Sequence, residues 1–442
     1  MDDAATPDPA AREPAREPAR EPAREPEEAP VELLTLRDGL PDVVVDAAGL
    51  AAACAAIAAG SGPVAIDAER ASGYRYSARA YLVQLRREGA GTVLVDPIAF
   101  DDLAPLQEVL VGTEWVLHAA TQDLPCLREV GLEPTSLFDT ELAGRLLGHP
   151  RVGLATLTEQ LLGRRLRKEH SAQDWSRRPL PEPWLEYAAL DVEALVELRD
   201  VLAEELREAG KDEWARQEFD ALLGHTAPVR VDAWRRTSGM HKVRGRRGLA
   251  AVRALWTTRD EIAAQRDVTP SRLIPDASIV AAAQTMPQDR RSLLDTPGFH
   301  GRGAQRYSGR WVEALREAAE LDEDALPPRS PRTDGPPLPR AWAERDPVAA
   351  RRLALARSAL AGLSERVAVP TENLMTPDVV RRVLWEPPVE REPEALARAV
   401  DAAVTALGAR PWQSDLVTPV LVDAVLEADA APPEPDPETP TP

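Results

Sequence analysis

Cysteine and histidine are scarce in this 442-residue chain, which contains 2 cysteines and 6 histidines. Two cysteines cannot form the disulfide framework of a small secreted domain, and no Cys/His cluster has the spacing of a zinc site. Cys54 lies in an alanine-rich stretch and Cys126 in a short apolar one. Both are therefore predicted to be small buried hydrophobic side chains rather than disulfide partners or nucleophiles.

The sequence also lacks long apolar runs. No stretch approaches the roughly 20 uninterrupted apolar residues that a membrane span needs. The N-terminus is acidic and has no apolar core of the kind found in a secretory signal. We therefore expect no membrane association and a cytoplasmic location.

Positive charge is in deficit overall, because the formal net charge is −20. That sum argues against a nucleic-acid ligand, but the distribution of charge argues differently. Residues 1–30 hold nine acids and four arginines, and residues 423–442 hold six acids and no basic residue. Residues 234–272 hold ten Lys/Arg against three acids. Acidic ends therefore mask a basic interior segment.

The 42 prolines mark where compact structure is not expected. Residues 11–26 are four copies of Ala-Arg-Glu-Pro, and proline at every fourth position blocks a helix. Six prolines between residues 327 and 339 indicate a linker, and proline alternates with acids near the C-terminus. The predicted organisation is a disordered tail at 1–30, ordered domains at 31–225, 230–325 and 341–430, a linker at 326–340, and a disordered tail at 431–442.

Hydrophobic periodicity predicts the class of each ordered segment. In the first, short apolar runs predict strands, and alanine-rich or amphipathic stretches predict helices, which together indicate a mixed α/β sheet. The expected strands are 64–67, 80–86, 92–95 and 115–118, with helices at 47–59 and 102–111 and a mostly helical region from 122 to 222. The later segments are expected to be all-α, with helices at 246–264, 276–284, 288–294, 308–320, 341–364 and 393–429.

Five side chains in the first segment are candidates for chemistry. Asp67 and Glu69 lie two positions apart at the end of a predicted strand, so they share one face. Tyr187 and Asp191 lie one helical turn apart, and Asp123 opens a helix after a later strand. Each feature alone has an ordinary explanation: a solvated strand end, a helix surface, or an acid that favours the helix dipole.

Taken together and in this order, the five residues resemble the DEDD superfamily of 3′→5′ exonucleases, in its tyrosine-bearing branch. Residues 118–124 resemble the second motif of that superfamily, and residues 174–191 closely resemble bacterial ribonuclease D. The resemblance covers residues 45–222. It implies a ribonuclease H-like α/β fold for the exonuclease domain at 31–225.

The resemblance also implies two divalent metal ions, Mg²⁺ or Mn²⁺, which prefer carboxylate oxygens to histidine or cysteine. Asp67 would bridge both ions, Glu69 and Asp191 would complete the site of the ion that activates water, and Asp123 would hold the second ion through water. Tyr187 would orient the attacking water, because a phenol with a reference pKa near 10 is a poor base.

Candidate RNA contacts are less specific. A basic cluster and His118 lie within the exonuclease region, where arginines at a solvated helix end are an equally simple explanation. The cluster residues proposed for phosphate contact are Arg164, Arg165, Lys168, Arg177 and Arg178. Trp175 and Trp184, which flank the turn with Arg177 and Arg178, are expected to be core anchors rather than base-stacking platforms.

The segment 230–325 resembles an HRDC domain, a helical nucleic-acid-binding module found in RecQ helicases and ribonuclease D. Its basic opening and the glycine-rich stretch at 297–303 carry the resemblance. The candidate contacts there are Arg244, Arg246, Arg302, Arg306 and Tyr307, although a helix-connecting turn with solvated arginines fits as well. Residues 341–430 resemble a second, divergent HRDC-like domain, to which no ligand is assigned.

These observations predict a monomeric 3′→5′ exoribonuclease that trims RNA 3′ ends and releases nucleoside 5′-monophosphates, with precursors of tRNA as the family's usual substrate class. Two alternatives remain open at this point: a DNA exonuclease with the same chemistry, and a non-catalytic nucleic-acid-binding adaptor.

Overall fold

The computed structural model describes residues 31–167, 172–226, 230–330 and 335–430. The tails predicted at 1–30 and 431–442, and the candidate contact Lys168, lie outside these residues. Cys54 and Cys126 are both buried free thiols, as predicted.

A mixed sheet forms the centre of the N-terminal domain. Within the described ranges it has six strands in the order β2-β5-β4-β3-β6-β7. β4 is antiparallel to both β3 and β5, whereas β6 lies parallel to β3 and β7. A small parallel pair joins β1 to β8. The strands are β1 Glu32–Leu33, β2 Val43–Val44, β3 Ser61–Arg70, β4 Ala80–Glu88, β5 Gly91–Val95, β6 Trp115–Leu117, β7 Leu137–Asp139 and β8 Arg164–Arg165.

The mixed α/β class expected from the sequence is confirmed, and the four predicted strands are present with longer or slightly shifted ends. The mostly helical interpretation of residues 122–222 is wrong at β7 and β8. β7 has three residues, too few for a recognisable alternation, and it becomes a strand because β6 offers it a parallel partner.

Eight α-helices of the described residues cover this sheet. The first, at residues 47–59, matches its prediction and begins where the Asp46 carboxylate accepts a hydrogen bond from the Gly49 amide at 2.8 Å. The helices are α1 Ala47–Ala59, α2 Ala104–Leu110, α3 Leu124–Glu129, α4 Thr140–Leu147, α5 Leu154–Leu162, α6 Glu182–Glu193, α7 Leu195–Glu208 and α8 Asp212–Leu223.

The middle domain is all-α and has a hydrophobic core of its own. Fully buried Trp311 and Phe299 lie in that core together with Trp234. Its α-helices in the described chain are α9 Gly245–Arg266, α10 Asp276–Thr285, α11 Arg290–Leu294, α12 Arg302–Arg306 and α13 Ser308–Glu320.

The C-terminal helices do not form a separate core. Their buried side chains join those of the N-terminal domain in one continuous cluster that runs from Leu50 to Val425. Trp412 stacks on Trp214 of α8 with ring centroids 4.9 Å apart. Described helices here are α14 Trp342–Arg345, α15 Pro347–Val367, α16 Thr371–Leu374, α17 Pro377–Trp385, α18 Pro393–Ala406 and α19 Pro411–Ala430. Among all helices in the described ranges, none combines the length and apolarity needed to cross a bilayer.

Candidate active site

Two elements bring three acidic side chains together. β3 runs through the fully buried Val64, Ala65 and Ile66 and carries Asp67 and Glu69 at its far end. α6 packs on β3 and β4 and carries Asp191. One carboxylate oxygen from each of the three acids lies within 4.8 Å of the others.

Asp123 completes the group. It precedes α3, yet its side chain makes no capping hydrogen bond with that helix. Its Oδ1 lies 3.7 Å from Nη2 of Arg70. All four carboxylates and Tyr187 line one cavity of about 430 Å³, together with Arg70, Ser72, His118, Ala119, Gln122 and Leu154. The five residues that the sequence singled out therefore face a common space.

Burial and mutual repulsion dominate the electrostatics of this cavity. Burial, and then the charges of Asp67, Asp191 and Asp123, raise the pKa of Glu69 to about 10. Burial raises the pKa of Asp67 to about 6. The pKa values of Asp123 and Asp191 are also raised, first by burial and then by Asp67. Four acids crowded in this way are costly as anions unless a cation compensates them.

Tyr187 stands beside Asp191 and hydrogen bonds with its carboxylate. Burial, and then the charges of Asp191 and Glu69, raise the pKa of the Tyr187 phenol further above its ordinary value. The hydroxyl therefore keeps its proton at neutral pH. A protonated phenol can orient a water molecule but cannot act as a base.

Gln84 is a site residue that the sequence interpretation missed. It is the direct cross-strand partner of Asp67 on β4, and its side chain is fully buried. Its Nε2 donates a hydrogen bond to Asp67 Oδ2 at 2.8 Å. The available signal was a single amide in the otherwise apolar run of residues 80–85, since a buried polar side chain requires a partner.

His118 lines the cavity as a neutral side chain. Its Nδ1 lies 2.9 Å from the Thr140 hydroxyl, which itself donates to the Leu117 carbonyl oxygen at 3.2 Å. The hydroxyl can therefore accept from Nδ1, which leaves Nε2 with the lone pair. Burial lowers the pKa of His118 to about 4.

Arg164 and Arg165 of the basic cluster are ion-paired in this structure. Arg164 Nη1 lies 2.6 Å from Glu197 Oε2, and Arg165 Nη2 lies 2.9 Å from Glu159 Oε1. Each guanidinium therefore already has an acidic partner, and the proposed phosphate contacts of these two residues stay predictions.

Arg178 has a structural environment as well. Its guanidinium makes a two-pronged contact with Asp96 at 2.5 and 2.7 Å and donates to the Tyr81 carbonyl oxygen at 2.7 Å. Trp175 is fully buried, in agreement with its predicted role as a core anchor. Arg177 and Arg178 are both exposed, and the Arg178 guanidinium is already bound to Asp96. The phosphate contacts proposed for these two residues stay predictions.

In the middle domain, Arg244 lines a cavity of about 740 Å³ together with Arg235, His241 and Arg329. Arg246 instead donates to the Leu326 carbonyl oxygen at 2.6 Å. The other three candidates lie at α12: Arg302 begins the helix, and the Arg306 guanidinium carbon lies 5.7 Å from the centre of the Tyr307 ring.

The donor set fits divalent cations. Asp67, Glu69 and Asp191 offer oxygen ligands at a mutual spacing that one ion can satisfy, and Asp123 adds a fourth carboxylate on the same cavity. Oxygen-only sites suit hard ions such as Mg²⁺ and Mn²⁺. Burial and the charges of the neighbouring carboxylates raise the pKa of Glu69, and a bound cation would compensate that negative charge.

Comparison with protein families gives three matches. A model described as a 3′-5′ exonuclease matches residues 41–207, and an HRDC domain model matches residues 248–315. A model described as a 3′ to 5′ exonuclease C-terminal domain matches residues 335–425. The first covers all five candidate site residues.

Curated relatives include the ribonuclease D of Granulibacter bethesdensis, 34% identical over 312 residues that span 68% of this chain and 77% of that protein. The ribonuclease D of Gluconacetobacter diazotrophicus is 35% identical over 282 residues, or 62% and 71% of the two chains.

Solved structures of other proteins also resemble this chain. A Bifidobacterium adolescentis protein aligns with a TM-score of 0.80 and 36% identity, over 89% of this chain and 99% of that one. Escherichia coli RNase D, described as an exoribonuclease involved in structured RNA processing, aligns with a TM-score of 0.64 and 25% identity over 87% and 98%. The chain belongs to the ribonuclease D family and is a 3′→5′ exoribonuclease.

Proposed function

We propose that this exoribonuclease trims the 3′ ends of structured RNA, including tRNA precursors, one nucleoside 5′-monophosphate at a time, with two divalent cations held by Asp67, Glu69, Asp123 and Asp191. The observation that carries the proposal is the convergence of carboxylate oxygens from β3 and α6 within 4.8 Å of one another.

Bound Mg²⁺ or Mn²⁺ would acidify the attacking water and compensate charge on the scissile phosphate. The residues of the chain itself would set the spacing of the carboxylates and orient the attacking water. Asp67 and Glu69 share one face of β3, so their spacing follows from the pleat of the strand. The Tyr187 hydroxyl, which stays protonated, orients the attacking water from the neighbouring turn of α6.

The RNA strand is expected to approach along positive charge. Arg70 is at the cavity itself, and exposed Arg177 follows Trp175 on a nearby turn. Arg244 and Arg235 line the basic cavity of the HRDC domain. Such contacts would position the phosphate backbone and make binding depend on salt.

The test is hydrolysis of 5′-labelled RNA by the full chain with Mn²⁺, comparing wild type with Asp191→Asn. Removing one carboxylate of the site should lower the rate by about 10²–10³-fold, as for other electrostatic groups in active sites. Asp200→Asn is the matched control, because Asp200 lies on α7 with its side chain 62% exposed. Normal RNA degradation by Asp191→Asn would refute the assignment.

The polymer is tested with RNA and DNA of one sequence under the same conditions. A higher kcat/KM for RNA is expected, since an RNA enzyme can use the ribose 2′-OH as a contact. Preference for DNA would replace the proposal with its first alternative. We also propose that the protein is a monomer and acts in the cytoplasm. Light scattering at the mass of one chain would support the monomer, and recovery in a cytosolic fraction would support the location.

A further inference from the structure

The loop between β3 and β4, residues 71–79, forms part of the wall of the active site. It leaves β3 directly after Arg70, the residue that follows Glu69, and its Ser72 lines the catalytic cavity. The loop returns to the sheet at Ala80, on the strand that carries Gln84. The loop therefore joins the strand that carries Asp67 to the strand that carries Gln84.

The HRDC domain holds this loop by the end of α9. Asp267 follows α9 in the left-handed conformation, with φ of 46°. Its Oδ1 accepts hydrogen bonds from the backbone amides of Tyr76 at 3.2 Å and Ser77 at 2.9 Å. Its Oδ2 accepts from the Tyr81 hydroxyl at 3.4 Å. One carboxylate thus binds two consecutive loop amides and the strand that follows.

Three further contacts join the HRDC domain to the same loop. The Tyr76 hydroxyl donates to Asp260 Oδ2 at 2.9 Å, and the Thr269 amide donates to the Tyr74 carbonyl oxygen at 3.2 Å. The Arg272 guanidinium carbon lies 4.8 Å from the centre of the Tyr74 ring. Residues of the HRDC domain therefore hold the loop at Tyr74, Tyr76 and Ser77.

On its other side the loop contacts the turn that precedes α6. Arg75 Nε donates to the Ser176 hydroxyl at 2.8 Å, and that hydroxyl donates to Asp174 Oδ1 at 2.5 Å. The loop thus lies between the HRDC domain and the segment that leads to Tyr187 and Asp191. A shift of the loop would therefore affect both Ser72 in the cavity wall and the turn that precedes α6.

We propose that Asp267 of the HRDC domain is a positioning residue for the exonuclease reaction, because it holds the β3–β4 loop in the conformation that completes the active-site wall. The proposal rests on the proposed function and goes beyond it. Through this loop the HRDC domain supports the chemistry even for a substrate too short to reach the basic cavity of that domain.

The decisive substrate is a 5′-labelled RNA dinucleotide, assayed with the full chain and Mn²⁺. Asp267→Ala should lower kcat on the dinucleotide by at least about tenfold, since small misplacements of active-site groups have effects of that order. Asp267→Asn, which keeps an acceptor for the two amides and suits the left-handed conformation, should recover most of that loss. Asp295→Asn, an exposed acid of the same domain, should match wild type.

Selective loss on long RNA with unchanged dinucleotide kcat in Asp267→Ala would overturn the proposal, because it would reduce the HRDC domain to RNA binding. A second measurement does not depend on activity. Amide hydrogen exchange at residues 71–79 should rise in Asp267→Ala and stay unchanged in Asp295→Asn. Unchanged exchange in Asp267→Ala would also overturn the proposal, whereas a wild-type chain without RNA hydrolysis would count against the proposed function alone.

Discussion

Replacing Gln84 with leucine should weaken metal binding without unfolding the protein. Gln84 is fully buried on β4, and its amide donates to Asp67 Oδ2 at 2.8 Å. Leucine has a similar volume and suits the apolar neighbours of this strand, so packing is largely kept. What is lost is the donor that fixes the orientation of the Asp67 carboxylate.

The expected magnitude follows from that one hydrogen bond. A hydrogen bond to a charged group contributes about 1.5–3 kcal/mol. Since about 1.4 kcal/mol corresponds to a tenfold change in an equilibrium constant, Mn²⁺ should bind roughly 10–100-fold more weakly. Groups that orient metal ligands have effects of this size in other proteins.

Isothermal titration with Mn²⁺ measures this change directly, and exonuclease rates at limiting and saturating Mn²⁺ provide a second readout. The matched control is Gln107→Leu, which removes another amide hydrogen bond, to the Glu133 carbonyl oxygen, away from the cavity. Wild-type Mn²⁺ affinity in Gln84→Leu would refute the role given to this amide. Equal weakening in both variants would show a general loss of stability instead.

Two further expectations concern the contact between the N-terminal domain and the C-terminal helices. Trp412→Phe should keep ring packing but remove the Nε1–H that donates to the buried Glu218 at 3.0 Å. The free energy of unfolding should fall by about 1–3 kcal/mol. An unchanged midpoint of urea unfolding would contradict this. Gly148→Ala should lower the free energy of unfolding more than Gly163→Ala, although both glycines have positive φ. A Cβ on Gly148 would lie 2.6 Å from the Ala368 carbonyl oxygen, whereas a Cβ on Gly163 would have open space. The control should lose about 1–2 kcal/mol, the ordinary cost of the left-handed conformation, and equal losses would contradict the clash.

The four acids that line the cavity could be located from the sequence because local patterns position them. Strand alternation places Asp67 and Glu69 on one face, and helical spacing does the same for Tyr187 and Asp191. The four main strands of the sheet and most helices were predicted for the same reason. The predicted functions of the arginines and of the second HRDC-like domain remain predictions.

The rest depends on contacts between distant positions. Tyr76 and Asp267 are 191 positions apart, and neither has a local pattern that announces its partner. Gln84 can be recognised as the neighbour of Asp67 only when the register of β3 against β4 is known. Periodicity reports which face of an element is buried, but it does not report what that face is buried against.

The hydrophobic core shared between the N-terminal domain and the C-terminal helices has a consequence for biosynthesis. Its last buried side chains, Val425 among them, are synthesised after the whole HRDC domain. The HRDC domain has a separate core and is able to fold while the catalytic half still waits for its final helices. Nuclease activity is therefore expected only after α19 has been synthesised and has joined this core.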